Sequence, residues 1–198
     1  MDTHVDTSSL VELGYYLKKA GKPQVVRGAM SSAMNRALTS TKKETKKLIR
    51  EEYAVKPQYV NRSLSLKRAS KANPQAELIS KGPNIPLSHF PHTPTRVTKS
   101  RRPVKVQVKR SGGKKELQHH PGAFIGKTKS GKKHIFVRKG KNRLPIKFLT
   151  AAAVPKMMEN DKIMDNIHDH ALKKYEERVQ HELDHRMSKI MRRSKGRG

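Results

Sequence analysis

The residues best placed to do chemistry are His181, Glu182 and His185, which with Leu183 and Asp184 spell H-E-x-x-H. On a helix this spacing sets two imidazoles one turn apart, the arrangement that binds zinc in hydrolases whose glutamate acts as base. Such a site also needs a third protein ligand and an enclosed pocket, whereas this segment lies among Arg178, Arg186, Lys189, Arg192 and Arg193. The pattern therefore reads as an exposed, charged helix face, and His168 and His170 as surface residues beside it. No G-x-S-x-G elbow frames a nucleophile, and Ser111-Gly112-Gly113-Lys114 lacks the spacing of a phosphate loop. His119 and His120, just before Pro121, read as loop residues with no catalytic partner. The expectation is a protein that is not an enzyme, with no catalytic residue, no cofactor and no metal.

What the sequence offers instead is charge. Arg96, Lys99, Arg101 and Arg102 precede a valine-rich segment, and Lys109, Arg110, Lys114 and Lys115 follow it. Lys127, Lys129, Lys132 and Lys133 crowd a later turn, and Arg138, Lys139, Lys141 and Arg143 follow the strand beyond it. Cations on loops and strand ends can neutralise phosphates without reading bases, which points to sequence-independent contact with duplex DNA. Aromatic residues make up only 5% of the chain, too few for recognition of single strands by stacking. The same cations would equally suit the acidic surfaces of neighbouring proteins in an assembly.

The chain that positions them has 198 residues, 45 Lys and Arg against 16 Asp and Glu, and a formal charge of +29. Self-repulsion on this scale favours a polyanionic or acidic partner. Only 33% of residues are hydrophobic, so the core is expected to be small and partner subunits to help order it. The absence of cysteine excludes disulfides and thiolate chemistry. No apolar run spans a bilayer and residues 1–9 are acidic and polar, so a cytoplasmic protein without a signal peptide or membrane contact is expected. Charge divides the chain into a helical segment over 1–54, a basic, mostly β core over 55–155, and a helix with a mobile basic tail over 156–198. All three are expected to belong to one structural domain. The middle segment holds 24 basic residues against Glu77 and Glu116 alone.

Local patterns predict an α+β fold, with N-terminal helices, a small antiparallel sheet with long basic loops, and a long C-terminal helix. One helix runs from a Ser8 or Ser9 cap to Gly21, and a second carries Val26, Met30, Ala33, Ala37, Thr41, Leu48 and Ile49 on one stripe. Pro57 begins a short helix containing Val60 and Leu64. Residues 75–80 and 85–90 read as strands, 91–102 as loop, and Val104, Val106 and Val108 alternate with Lys105, Gln107 and Lys109 as a half-buried strand. Phe124 and Ile125, a turn at Ser130-Gly131, and residues 135–137 read as a hairpin, with another strand over 145–150. From Val154 to Arg193 the period is helical, the stripe including Ile163, Ile167, Leu172, Val179, Leu183 and Met187.

Three blocks then resemble one family. Lys71-Ala72-Asn73-Pro74-Gln75-Ala76, Pro121-Gly122-Ala123-Phe124-Ile125, and the run Val137-Arg138-Lys139-Gly140-Lys141-Asn142-Arg143-Leu144-Pro145-Ile146 are similar in order and spacing to the minor tail protein Z family of long-tailed phages and prophages. The resemblance covers about residues 20 to 195. It departs from one common form at Phe148-Leu149-Thr150-Ala151-Ala152-Ala153, where many relatives have a glycine-proline-serine turn.

The resemblance implies a structural virion protein that finishes the tail at its head-proximal end and joins it to the DNA-filled head. Phe124, Ile125, Pro145 and Ile146 would pin the hairpin to the core, with Arg138, Lys139, Lys141 and Arg143 beside it. The implied partners are further copies in a hexameric or dodecameric ring, portal or connector proteins, tail terminator or tail tube proteins, and genomic double-stranded DNA. Composition alone would suggest a nucleoid or ribosome-associated nucleic-acid-binding protein instead, and the three blocks weigh against it.

Overall fold

A computed structural model describes residues 23–97 and 102–195. The helix expected before Gly21, together with Lys99 and Arg101, lies outside the described residues. The elements are helices α1 (Pro23–Glu52) and α2 (Pro57–Ser63), strands β1 (Leu64–Lys67), β2 (Glu77–Ser80), β3 (Ile85–Pro86), β4 (His92–Thr93), β5 (Lys105–Val106), β6 (Lys115–Glu116), β7 (Phe124–Lys127), β8 (Lys133–Arg138), β9 (Ile146–Phe148) and β10 (Thr150–Ala151), then helices α3 (Val154–Met158) and α4 (Asp161–Lys195). This is an α+β fold. Its strands form small ladders: β1 with β2, β3 with β10, β4-β5-β6 and β7-β8-β9. The β3-β10, β4-β5, β5-β6, β7-β8 and β8-β9 pairings are antiparallel.

The chain divides into two compact units, to both of which α1 and α4 contribute residues. The first takes residues up to Thr41, Leu66–Glu77 and His170 onwards. Its part of α1 buries Val26, Ala29, Ala33 and Ala37, small enough for backbones to approach closely. Asn35 holds the loop after β1 by both its amide atoms, donating to the Ala69 carbonyl and accepting from the Ala69 N–H at 2.9 Å each. Ser31 donates to the Ser70 carbonyl at 2.8 Å. Ser70 and Asn73 close the next turn on each other, Ser70 N–H to the Asn73 carbonyl and Asn73 N–H to the Ser70 hydroxyl, at 2.8 and 3.0 Å. The first of the three sequence blocks is therefore a turn pinned to α1.

The second unit comprises Lys42–Ser65 and Leu78–Asp169 and contains the larger core. Ile49, Val60, Ile135, Val154 and Met157 are almost wholly buried there, joined by Ile85, Phe90, Val104, Val106, Ile125, Leu149, Ile163 and Ile167. Each fully buried large side chain contributes about 1.5–3 kcal/mol of transfer free energy. Leu149 ties two ladders together, its N–H donating to the Ile135 carbonyl and its own carbonyl accepting from Leu87 N–H, at 2.8 and 2.9 Å. The segment that departs from the glycine-proline-serine form is thus strand backbone, running from β9 through buried Leu149 into β10.

Several local expectations are corrected. Leu64 caps α2 in an extended conformation and begins β1, a strand the helical reading of that segment hid. Residues 85–90 form a two-residue strand followed by a 3-10 turn at Leu87–His89, and the loop after them contains β4. Valine alternation over 104–108 holds for burial, with Val104 and Val106 inside and Lys105 out, but only Lys105 and Val106 join a ladder. The C-terminal helix breaks after Met158 and restarts at Asp161. Leu172 is 50% exposed, because the buried stripe that leaves Ile163 and Ile167 passes through residues 171 and 175 at helical spacing.

Candidate interaction surface

The described candidate cations all lie in the second unit and all are exposed. Strand β8 sorts eight of them. Lys127 and Lys133 face each other across the β7-β8 ladder, with Lys129 and Lys132 in the intervening turn, which Gly131 completes at a φ of 76°. Arg138, Lys139, Lys141 and Arg143 lie at the opposite end, roughly 17 Å away at the usual strand rise. Lys115 begins β6 of the other three-stranded ladder, with Lys114 just before it, and Arg102 precedes β5 of the same ladder.

Some of these charges have structural work. Lys109 pairs with Glu52 at 3.3 Å, and the Arg110 guanidinium donates to the Arg50 carbonyl in the last turn of α1. There the negative end of the helix dipole favours a cation, so the two residues fasten the end of α1. Lys114 donates to the Thr93 hydroxyl at 3.0 Å. Arg138 stands over the Phe124 ring, 5.2 Å from its centroid, and donates to the Arg143 carbonyl at 2.7 Å. Arg96, Arg102, Lys115, Lys127, Lys129, Lys132, Lys133, Lys139, Lys141 and Arg143 have no carboxylate in salt-bridge reach among the described residues. The sequence holds no Asp or Glu between Glu116 and Glu159.

Of the four residues expected to pin the hairpin, Ile125 is buried and Phe124 half-buried. Pro145 and Ile146 are exposed, and their place in the fold comes from backbone pairing: Ile146 lies opposite Arg138, and the Pro145 carbonyl accepts from Lys139 N–H. Ile146 belongs to an aromatic face that sequence reasoning missed. Phe124, Phe136 and Phe148 are register partners across β7, β8 and β9, a row signalled in the sequence only by phenylalanines at matching parity in three strands. A second missed cluster joins Tyr59, His89 and His134. The Tyr59 hydroxyl is 2.7 Å from His89 Nδ1, and the His89 ring packs edge-on to His134. Burial first, then the nearby cations Lys56 and Lys132 and the rings of His134 and His92, hold the His89 pKa below its ordinary value.

The H-E-x-x-H segment is not a uniformly exposed face. His181 and His185 are exposed, but Glu182 is 5% exposed and bound to Arg36. Among the described residues no group of three or more His, Asp or Glu side chains is gathered as a metal would require. Residues 111–114 run from the 3-10 turn at Arg110–Gly112 to β6 without leading into an α-helix, unlike the loop of a helix-terminal phosphate site. His119 and His120 are exposed at a shallow cleft beside Leu117 and Leu149. No described helix is long and apolar enough to cross a membrane.

A model of the prophage minor tail protein Z (GPZ) family matches residues 17–197. The chain belongs to this family. As a minor tail protein Z it is a phage tail protein, and hence a component of the virion. No curated protein and no solved structure matches it. The match takes in the Ser70–Asn73 turn, the β7-β8 hairpin and β9, so the three resembling blocks lie on elements the structure builds from end to end.

Proposed function

We propose that this minor tail protein Z completes the tail at its head-proximal end. Copies form a hexameric or dodecameric ring that joins the tail to the DNA-filled head. One side of the ring meets portal or connector proteins, the other the tail terminator or tail tube. Its role is structural: docking surfaces hold neighbours, and exposed cations of the second unit neutralise the genomic duplex at the junction. A head-to-tail contact repeated about the tail axis closes such a ring, and a chain whose core is thin gains order from its neighbours.

The observation that carries this reading is the acid-free stretch between Glu116 and Glu159, whose exposed cations, apart from Lys156 paired with Glu159, find no carboxylate among the described residues. These cations occupy turns and strand ends, where they reach phosphates but not base edges. Binding of the full chain to duplex DNA should be indifferent to sequence. It should weaken by about 10³–10⁵ between roughly 50 and 200 mM salt, as for six to ten phosphate contacts. Fluorescence anisotropy on two unrelated duplexes tests this. Affinity that holds steady in salt, or that prefers one duplex, contradicts the DNA contact.

A further inference from the structure

The face of the β7-β8-β9 sheet turned away from Ile125 and Ile135 is mostly apolar, its polar members being Arg138 and His134, whose ring packs 5.7 Å from that of Phe148. Phe124, Phe136 and Phe148 cross it in register, and the first two rings stack with centroids 6.0 Å apart. Phe136 is shielded by this row, yet Phe148 is 49% exposed. The patch continues along β9 to Ile146, which alternates with Phe148 and is 38% exposed, and to Leu144 just before the strand, which is 66% exposed. These are three of the five large hydrophobic side chains that stand exposed among the described residues, and they lie within residues 144–148. Strand β9 has β8 on one side and no strand on the other among the described residues. Arg138 holds the patch in shape, over Phe124 and bonded to the Arg143 carbonyl. Lys139, Lys141 and Arg143 rim it where β8 ends, at the opposite end of that strand from the Lys127–Lys133 turn, with no acid between Glu116 and Glu159 to offset them.

We propose that this face is a docking surface for a different virion protein, whose contact region has an apolar centre and a rim of Asp and Glu. Charge complementarity selects that occupant. A second copy seated face to face would set two cationic rims against each other. Duplex DNA would satisfy the rim but leave Phe148, Ile146 and Leu144 in water, since a phosphate backbone offers them no apolar surface. An acidic-rimmed apolar protein surface satisfies both parts. The proposal rests on the chain being a virion component and does not need the DNA contact.

The test places a photo-crosslinking phenylalanine analogue at position 148 of the full chain, in particles of the phage that encodes it. Irradiation should give an adduct with a different virion protein, mapped to a segment in which apolar residues are flanked by Asp or Glu. An adduct with a second copy, an adduct with DNA, or no adduct while the chain is present in the particle overturns the docking surface and leaves the tail placement standing. Absence of the chain from particles overturns both. In a second arm, the combined variant Lys139→Glu, Lys141→Glu and Arg143→Glu alters only exposed side chains. Its incorporation should drop about tenfold with an unchanged unfolding midpoint. Incorporation equal to the parent contradicts the proposal.

Discussion

Glu182 of α4 is buried and bound at 3.0 Å to the guanidinium of Arg36 on α1. Its second oxygen is 3.9 Å from Arg186, whose guanidinium also donates to the Gly28 carbonyl and the Ser32 hydroxyl. The residue that a zinc hydrolase would use as base is here a strut between two helices. Replacing it leaves Arg186 half-buried without its carboxylate. Because Arg36 is 55% exposed, Glu182→Ala should cost about 1–3 kcal/mol, less than a wholly buried pair. His181→Ala, on the exposed face, should stay within about 0.5 kcal/mol. Urea denaturation separates the two, and equal losses would remove the strut.

Gly126 gives Phe136 its room. A methyl group at this position would lie 3.0 and 3.1 Å from two atoms of the Phe136 ring, which Phe124 and Phe148 confine on either side. Gly126→Ala should therefore destabilise the chain by about 1–3 kcal/mol through overpacking. At Gly122 an added methyl would meet nothing within 4 Å, so Gly122→Ala serves as the control and should be near neutral. A Gly126→Ala variant as stable as this control would contradict the packing of the phenylalanine row.

His89 makes stability depend on pH. Its folded-state pKa lies below the ordinary 6.5, mainly through burial, with Lys56, His134, His92 and Lys132 opposing a further positive charge. The Tyr59 hydroxyl lies 2.7 Å from His89 Nδ1. The unfolded chain therefore binds this proton first as pH falls. The stabilisation is complete above about pH 6.5 and is lost as pH falls through the lower, folded value. Thermal melts from about pH 7.5 to about pH 5 should show a declining midpoint. His89→Gln should flatten that decline while lowering the midpoint at neutral pH. An identical decline in this variant would assign it to other groups.

Much of the architecture was legible because it is written in local periodicity. The second helix, the hairpin around Ser130-Gly131 and the C-terminal helix follow from spacing and turn residues alone. Strands β1 and β4 were not, because a strand of four residues and another of two owe their pairing to segments brought up by the rest of the fold. The charge of the candidate surface was equally plain, but its division of labour was not. Arg110 meets a carbonyl 60 residues away, and Lys109 meets Glu52, partners no local pattern announces. The family resemblance implied that Pro145 and Ile146 pin the hairpin to the core, whereas both are exposed, Ile146 on edge strand β9 and Pro145 just before it. Glu182 read as surface because it is charged, and its burial depends on an arginine of another helix.

The central claim is that this minor tail protein Z sits at the head-proximal end of the tail with the cations of its second unit turned toward the genome. Cryo-electron microscopy of intact particles, with a small rigid tag inserted in the exposed turn at Lys129, measures both parts together. The account predicts tag density at the head-tail junction, on the channel side of a closed ring. Density at the distal tip, or at the junction but facing outward into solvent, would contradict it.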